Sequence, residues 1–169
     1  MQVVGPAREV LYLTQIKERL AAFDTPEAAA FVDRAFIVIL GGEKLDLLQD
    51  FYHGRFGVSR ATAMPSVISV LSAHYGLPRD YRHAIAALKI AGQCYVEADE
   101  MPPGAVARPC EPGQLPPGVA MVSFEVDRLP ESASSLGPAH RSPALPYDGR
   151  RSLACVGAAG ELIELIEAG

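Results

Sequence analysis

The sequence predicts an α+β fold in which one arrangement of strands and helix is used twice, the second time in a shortened form. The order of the elements leads to this fold class, and a short repeat accompanies it. The elements follow the order strand, helix, strands, a proline-rich break, and then strand, irregular crossover, strands. In addition, residues 4–13 (VGPAREVLYL) and residues 156–165 (VGAAGELIEL) are identical at five of ten positions when they are aligned at an offset of 152 residues.

The first strands are predicted from short apolar runs. Residues 10–13 and residues 162–166 are runs of strand length, and each follows a turn that contains glycine. Residues 17–33 lose this pattern and indicate a connector with one or two helical turns. Residues 34–42 (RAFIVILGG) predict a further strand, because they are rich in β-branched and aromatic residues and end in two glycines.

Two helices are predicted next. In residues 43–57 (EKLDLLQDFYHGRFG) the apolar side chains recur at helical spacing, and Gly57 is a typical residue at a helix end. Residues 65–78 (PSVISVLSAHYGLP) repeat this pattern, with Pro65 in the first turn and Gly76 after the last. The sequence therefore predicts a helix in each of these segments.

The remaining segments predict strands on either side of a stiff connector. Residues 83–92 and 94–102 predict two strands joined by a tight turn at Ala91 and Gly92. Residues 101–118 hold six of the fourteen prolines, which excludes a helix or a central strand there. The segments that follow are a strand, an irregular crossover and the two strands of a closing hairpin: residues 118–129, 130–148, 150–157 and 161–167.

Composition and charge exclude several classes of function. Charged residues make up 21% of the chain and the net charge is -5, with Lys and Arg scattered, whereas a nucleic-acid partner requires a basic face. No apolar run approaches the ~20 residues of a membrane-spanning helix, and the start lacks the pattern of a secretory signal. The three cysteines contain no CxxC pair, which argues against a disulfide framework or a zinc knuckle. We expect a cytoplasmic protein with no nucleic-acid or membrane partner.

Three segments resemble, in order and spacing, the vicinal oxygen chelate superfamily, which includes glyoxalase I, bleomycin-resistance proteins and extradiol dioxygenases. Residues 34–57 are similar to its opening strand and helix with an FY pair, residues 120–129 (AMVSFEVDRL) to its fifth strand, and residues 157–167 (GAAGELIELIE) to its closing hairpin. The resemblance covers about residues 34–167. It implies an α+β fold of paired βαβββ units that form a cup-shaped mixed sheet.

The resemblance also implies a domain organisation. Residues 34–102 are expected to form the first βαβββ unit, and residues 118–167 the second, abbreviated unit. Residues 1–33 are then expected to hold one strand of a preceding module of the same type, followed by a connector. The alternative is that two edge strands converged on the same glycine-turn pattern. Because a strand without its module has an unpaired edge, we expect it to pair elsewhere, for example across a homodimer.

In active members of the superfamily, a divalent metal (Fe, Mn, Ni or Zn) is bound by one side chain from each of the first, fourth, fifth and eighth strands. The fourth and eighth positions fall on Glu97 and Glu164, which the resemblance therefore implies as metal ligands and catalytic residues. The fifth position falls on Met121, and the first on Phe36 or Ile37. A thioether and apolar side chains are poor ligands for hard metals, so the resemblance implies a degenerate metal site.

Neighbouring side chains extend the predicted binding site. Because strand side chains alternate, Ser123 shares a face with Met121, and Tyr95 and Asp99 share a face with Glu97. Six residues are predicted to contact a small-molecule substrate: Met121, Phe36, Tyr95, Ser123, His140 and Arg141.

The histidines differ in what their positions indicate. His53 and His74 lie on predicted helices, where an isolated histidine is more often a packing or capping residue than a ligand. His140 and Arg141 lie in the irregular crossover, where a histidine–arginine pair would suit an acidic or enolic substrate. We therefore include only the latter pair in the predicted site.

Three functions remain open. The first is an enzyme by descent, of the lyase, isomerase or ring-cleaving dioxygenase type, that binds a small oxygen-rich or aromatic molecule beside a degenerate metal site. The second is a metal-free module that sequesters an organic ligand, as resistance proteins do. The third is a structural half of a two-module protein. Fold alone does not choose among them, whereas metal analysis of the purified protein separates the first from the others.

Overall fold

The computed structural model describes residues 1–18, 24–130 and 135–169. The chain divides into two compact units, Met1–Val106 and Ala107–Gly169. Each unit contains a four-stranded mixed sheet, and the first unit also contains a two-stranded hairpin and two helices. No helix of the described residues is long and apolar enough to cross a membrane.

The first unit opens with an antiparallel hairpin of β1 (Gln2–Val4) and β2 (Val10–Tyr12). The side chain of Gln2 anchors this hairpin to the rest of the unit. Its Oε1 atom accepts one hydrogen bond from the Ser69 hydroxyl at 2.8 Å and another from the Val70 backbone N–H at 3.0 Å. The predicted first strand is therefore present, and it is paired within the unit.

The first sheet has the strand order β3-β6-β5-β4, in which β3 is parallel to β6 and the other pairs are antiparallel. The predicted hairpin of β5 and β6 is confirmed, with Gly92 in its turn at a φ of 66°. The four strands are β3 (Ile37–Gly42), β4 (Met64–Val67), β5 (Arg82–Lys89) and β6 (Tyr95–Glu100).

Helix α1 (Leu45–Phe56) covers one face of the first sheet. The backbone N–H of Leu45 donates to Glu100 Oε2 at 3.1 Å, and the side chain of Leu48 lies against Gly42. Since Glu100 and Gly42 are register partners, both point to the same side of the sheet. The opposite side therefore carries Glu97 and its neighbours. The helix ends at Gly57, as predicted, with a φ of 69°.

The prediction of a single helix over residues 65–78 is wrong in its first part. Residues Met64–Val67 form β4 at the edge of the sheet, and helix α2 covers only Ser69–His74. Pairing with β5 satisfies the backbone of this β-branched segment better than an isolated helical turn. The helical turns predicted in residues 17–33 are absent from residues 17–18 and 24–33, and residues 19–23 lie outside the described part of the chain.

The second sheet has the order β7-β10-β9-β8, which repeats the order of the first sheet. Its first strand is parallel to its last, as in the first sheet. In the first unit helix α1 follows β3, whereas the crossover after β7 contains no helical residue in its described part. The α+β class and the repeated strand order are therefore confirmed. The strands are β7 (Met121–Val126), β8 (His140–Arg141), β9 (Arg151–Val156) and β10 (Leu162–Glu167).

The N-terminal hairpin repeats the turn of the closing hairpin. The Gly5 N–H donates to Glu9 O at 2.8 Å, and the Arg8 N–H donates to Gly5 O at 3.1 Å. Identical sequence positions at the 152-residue offset therefore share one turn geometry. The corresponding bonds of the closing hairpin run from the Gly157 N–H to Glu161 O at 2.8 Å and from the Gly160 N–H to Gly157 O at 3.1 Å.

This shared turn yields a stability prediction. Arg8 and Gly160 occupy the same left-handed position, with φ values of 67° and 76°. A side chain costs about 1 kcal/mol in this conformation. We expect Arg8→Gly to raise the free energy of unfolding by about 0.5–1 kcal/mol, and Gly160→Ala to lower it by about 1 kcal/mol, measured by urea unfolding. Gly137→Ala is the control, because Gly137 has no positive φ and open space around it. A neutral Gly160→Ala would contradict the shared geometry.

Candidate functional site

One face of the second sheet carries four of the predicted site residues: Met121 and Ser123 on β7, Glu164 on β10, and His140 on β8 opposite Ser152. Because side chains alternate and the strands are in register, β7, β10 and β9 form three cross-strand rows on this face. The first row is Met121, Leu162 and Val156; the second is Ser123, Glu164 and Ala154; the third is Glu125, Ile166 and Ser152.

The first row is an apolar strip that water can reach. Met121 and Val156 are each 41% exposed, and Leu162 between them is half-buried. The strip lies directly beside the row that contains Glu164. An apolar group of a bound molecule could therefore contact this strip while a polar group reaches the carboxylate.

The carboxylate of Glu164 is buried and fixed by two side chains. Glu164 is 6% exposed. Its Oε2 atom accepts a hydrogen bond from the Ser123 hydroxyl at 2.6 Å, and its Oε1 atom accepts one from the Tyr147 hydroxyl at 3.0 Å. The hydrogen bond to Glu164, and secondarily the charge of the same carboxylate, raise the pKa of Tyr147. Tyr147 therefore remains the donor of this bond at neutral pH.

Arg150 holds Tyr147 over the sheet. Its guanidinium donates to the backbone oxygens of Pro146 and Tyr147, at 2.7 and 3.0 Å. It also forms an ion pair with Glu125 at 2.6 Å, which belongs to the third row of the face. Because Glu125 lies on β7, this ion pair fixes the turn that carries Tyr147 to the strand that carries Ser123.

His140 and Arg141 have different surroundings. The Nε2 atom of His140 lies 3.1 Å from the Ser152 hydroxyl, and its ring centre is 6.2 Å from that of Tyr147. His140 therefore borders the candidate site. Arg141 instead donates to the backbone oxygen of Gly149 at 2.6 Å, which stabilises the turn after β8.

The other predicted residues lie in the first unit. Tyr95 is buried, and its hydroxyl accepts a hydrogen bond from the Asp24 N–H at 3.0 Å. The backbone oxygen of Phe36 accepts a hydrogen bond from the Tyr95 N–H at 2.8 Å. Tyr95, Glu97 and Asp99 share the face of β6 that α1 does not cover.

The acids of this first face are electrostatically coupled to β2. Burial raises the pKa of Glu97. Burial, together with the nearby charge of Glu97, raises the pKa of Asp99 to about 8. Burial and the charges of Asp99 and Glu97 raise the pKa of Tyr12 to about 12. The charges of both acids therefore act on the hydroxyl of Tyr12 in the N-terminal hairpin.

The residues around Glu164 do not fit the metal site that the resemblance implies. Both carboxylate oxygens accept hydrogen bonds from protein side chains, and Met121 in the neighbouring row offers only a thioether. Within residues 1–18, 24–130 and 135–169, no three His, Cys, Asp or Glu side chains are grouped so that they could hold a metal ion. Glu97 and Glu164 as metal ligands therefore stay a prediction.

Sequence reasoning missed Tyr147 as a site residue. It lies in a turn (residues 142–150) whose sequence, SPALPYDGR, indicates only a loop. The available signal was an aromatic residue between turn-forming residues, where a loop side chain is free to reach a neighbouring sheet. Ser152 was missed for a different reason, since its position opposite Ile166 depends on the pairing of β9 with β10.

No family model matches the sequence, and no curated protein matches it. Solved structures do match. A glyoxalase family protein from Bacillus cereus is 20% identical over 91% of this chain and 98% of that chain, with a TM-score of 0.56. One from Enterococcus faecalis is 16% identical over 82% of this chain and 100% of that chain, also with a TM-score of 0.56. A glyoxylase/bleomycin resistance protein/dioxygenase domain from Frankia sp. EAN1pec is 16% identical over 82% of this chain and 99% of that chain, again with a TM-score of 0.56. At these identities the likeness establishes a shared fold.

Proposed function

Because this chain has the glyoxalase/bleomycin resistance/dioxygenase fold, we propose that it binds a small aromatic or oxygen-rich molecule on the face of its second sheet, without a metal ion at Glu164. One observation carries this proposal. The resemblance puts the eighth-strand ligand position on Glu164, but the two oxygens of this carboxylate accept hydrogen bonds from Ser123 and Tyr147. The carboxylate is therefore held as a fixed hydrogen-bond acceptor, which supports the metal-free alternative.

The chemistry of the face indicates the class of ligand. The hydroxyls of Ser123 and Tyr147 donate hydrogen bonds to Glu164, so the lone pairs on their own oxygens remain available as acceptors. The exposed apolar strip of Met121, Leu162 and Val156 lies one row away. A flat apolar molecule that carries a hydroxyl or amine donor matches both features, since its ring can cover the strip while its donor reaches these oxygens.

A pair of matched probes tests this proposal. We expect catechol to bind at least fivefold more tightly than 1,2-dimethoxybenzene, which has the same ring but no donor. Backbone amide shifts in NMR titrations should concentrate on β7 and β10. Because one hydrogen bond contributes about 1 kcal/mol net, Tyr147→Phe and Glu164→Gln should each weaken catechol binding about fivefold. Asp127→Asn is the control for charge, since this side chain is exposed beyond the end of β7. Equal binding of the two probes would contradict the proposal.

Metal content separates this function from the metal-dependent alternative. We expect protein purified without chelator to contain well under one equivalent of Fe, Mn, Ni or Zn, and EDTA to leave catechol binding unchanged. One equivalent of metal that is lost in Glu164→Gln would instead support the enzyme by descent, with Glu164 as a ligand. The metal analysis is therefore the first experiment to perform.

His140 supports a second candidate function, an enzyme that uses this face. Its imidazole is exposed at the edge of the site and lies 3.1 Å from the Ser152 hydroxyl. An imidazole in this position can act as a general base on a bound hydroxyl. For this candidate, His140→Gln should abolish turnover of a bound substrate while it leaves the dissociation constant within twofold of the parent value.

A further inference from the structure

A pocket lies beside helix α2 in the first unit, and the proposed function does not use it. Its volume is about 470 Å³, within the range of about 300–1,000 Å³ that small-molecule sites occupy. Its lining residues are Ser69, Ser72, Ala73, Leu77 and Arg79. The first three are three or four positions apart and therefore share one face of α2. The lining combines two hydroxyls and one guanidinium with two apolar side chains.

The hydroxyl of Ser72 is joined to a buried histidine of β5. Ser72 and His83 are each 2% exposed, and Ser72 Oγ lies 3.3 Å from His83 Nε2. The ring of Tyr81 packs edge-to-face against His83, with 4.9 Å between the ring centres. Burial lowers the pKa of His83. Its imidazole is therefore neutral at pH 7 and carries a single N–H group.

The surroundings of His83 Nδ1 indicate which ring nitrogen carries that proton. Nδ1 is buried and has no hydrogen-bond partner among residues 1–18, 24–130 and 135–169. Asp99 lies on the same face of the first sheet, but its Oδ1 is also without a partner, so no hydrogen bond joins the two groups. In folded proteins a buried N–H group without an acceptor is rarer than an acceptor that lacks a donor. We therefore place the proton on Nε2, which donates a hydrogen bond to Ser72 Oγ.

This hydrogen bond leaves the proton of the Ser72 hydroxyl unused. A serine hydroxyl has one O–H donor and two acceptor lone pairs, and the bond from His83 uses only a lone pair. Within the described part of the chain, the Ser72 hydroxyl has no hydrogen-bond partner other than His83. Because Ser72 lines the pocket, an acceptor atom of a bound molecule can receive the free O–H donor.

Arg79 adds a positive charge to the same pocket. Its side chain is exposed, and it forms no ion pair with an acid in the described ranges of the chain. The second hydroxyl is already engaged, since Ser69 Oγ donates to Gln2 Oε1 at 2.8 Å. The donors that remain for a ligand are the Ser72 hydroxyl and the Arg79 guanidinium, and together they favour an anion.

We propose that this pocket binds a small organic carboxylate. One carboxylate oxygen accepts a hydrogen bond from the Ser72 hydroxyl, and the other pairs with the guanidinium of Arg79. The hydrocarbon part of the ligand covers the apolar side chains of Ala73 and Leu77. A single cation beside an apolar wall favours an organic monoanion over inorganic phosphate. The site uses neither Glu164 nor the face of the second sheet.

Benzoate and benzamide test this site, since they share one shape and differ in charge. We expect benzoate to bind the full chain about fivefold more tightly or better in NMR titrations, with the shifted amides in residues 69–79. Arg79→Gln should weaken benzoate binding about fivefold, and Ser72→Ala about tenfold, because the buried hydroxyl donates to a charged acceptor. Arg82→Gln is the matched control. It removes an equal charge from an exposed side chain of β5 and should change the affinity less than about twofold.

The protonation of His83 provides a second, independent test. Side-chain ¹⁵N shifts of the free protein should show the proton on Nε2 and none on Nδ1. A proton on Nδ1 would contradict the inference, because Ser72 would then donate to Nε2 and would have no donor left for a ligand.

Three further outcomes would overturn the carboxylate site. These are equal binding of benzoate and benzamide, an effect of Arg82→Gln as large as that of Arg79→Gln, or shifted amides concentrated outside residues 69–79. The wild-type amide map and the probe pair decide the matter even if Ser72→Ala fails to fold. Glu164→Gln should leave benzoate binding unchanged, and Arg79→Gln should leave catechol binding unchanged. Failure of this site and failure of the proposed function are therefore distinguishable.

Discussion

Asp99→Asn will be more stable than the parent protein at pH 9 and close to it at pH 4. Burial and the nearby Glu97 raise the pKa of Asp99 from 3.8 to about 8 in the folded chain. The folded chain therefore retains this proton over a pH range in which the unfolded chain has released it. Stability that is present below pH 4 is lost as the pH rises towards 8, and the loss then levels off.

An asparagine at position 99 has no proton to release, so the variant avoids this loss. By linkage, we expect a difference in the free energy of unfolding of ~2–4 kcal/mol at pH 9. Urea unfolding at pH 4, 7 and 9 measures it. Asp46→Asn is the control and should show no gain in stability at pH 9. If Asp99→Asn were the less stable protein at pH 9, the inferred surroundings of Asp99 would be wrong.

Leu48→Ala will lower the free energy of unfolding by about 3 kcal/mol, because it removes a fully buried side chain and leaves a cavity between α1 and the first sheet. Leu48 is 1% exposed, and it lies against Gly42. Urea unfolding with an unchanged m-value provides the measurement. The result bears on function, because α1 decides which face of the sheet remains open for Glu97.

The neighbouring residue gives a matched control. Leu47 is 57% exposed on the same helix, so Leu47→Ala removes the same atoms and changes helix propensity equally. We expect its effect to stay within about 0.5 kcal/mol. Similar losses for the two variants would show that α1 does not pack as described, and would place Glu97 on a different face from the one that we infer.

Most of the strands were predictable because they follow from local patterns, whereas β1, β4 and β8 were not predicted. The run of β-branched residues before Gly41 and Gly42 predicted β3, and the alternation of apolar and polar residues in residues 120–129 predicted β7. Residues 64–67 were not predicted as a strand, because Pro65 and a helical spacing of apolar residues competed with β-branched residues. Pairing with β5 decided this segment, and that pairing is a long-range contact.

The repeat at the 152-residue offset was also readable from the sequence. Gly5 and Gly157 begin turns whose hydrogen bonds agree in pattern and length. The sequence did not show where the N-terminal copy would pack. Gln2 attaches it to residues 69 and 70 of the same unit. That placement depends on side chains that are far apart along the chain.

The sequence by itself determined the α+β class and the position of Glu164 on the last strand, because periodicity and turn residues act over a few neighbouring positions. Only the tertiary structure decided what surrounds the acids. It brought Ser123 and Tyr147 to Glu164, whereas it left Asp99 without a donor among the described residues. The physical reason is that hydrogen-bond partners and burial are set by the packing of distant segments, which a local pattern does not encode.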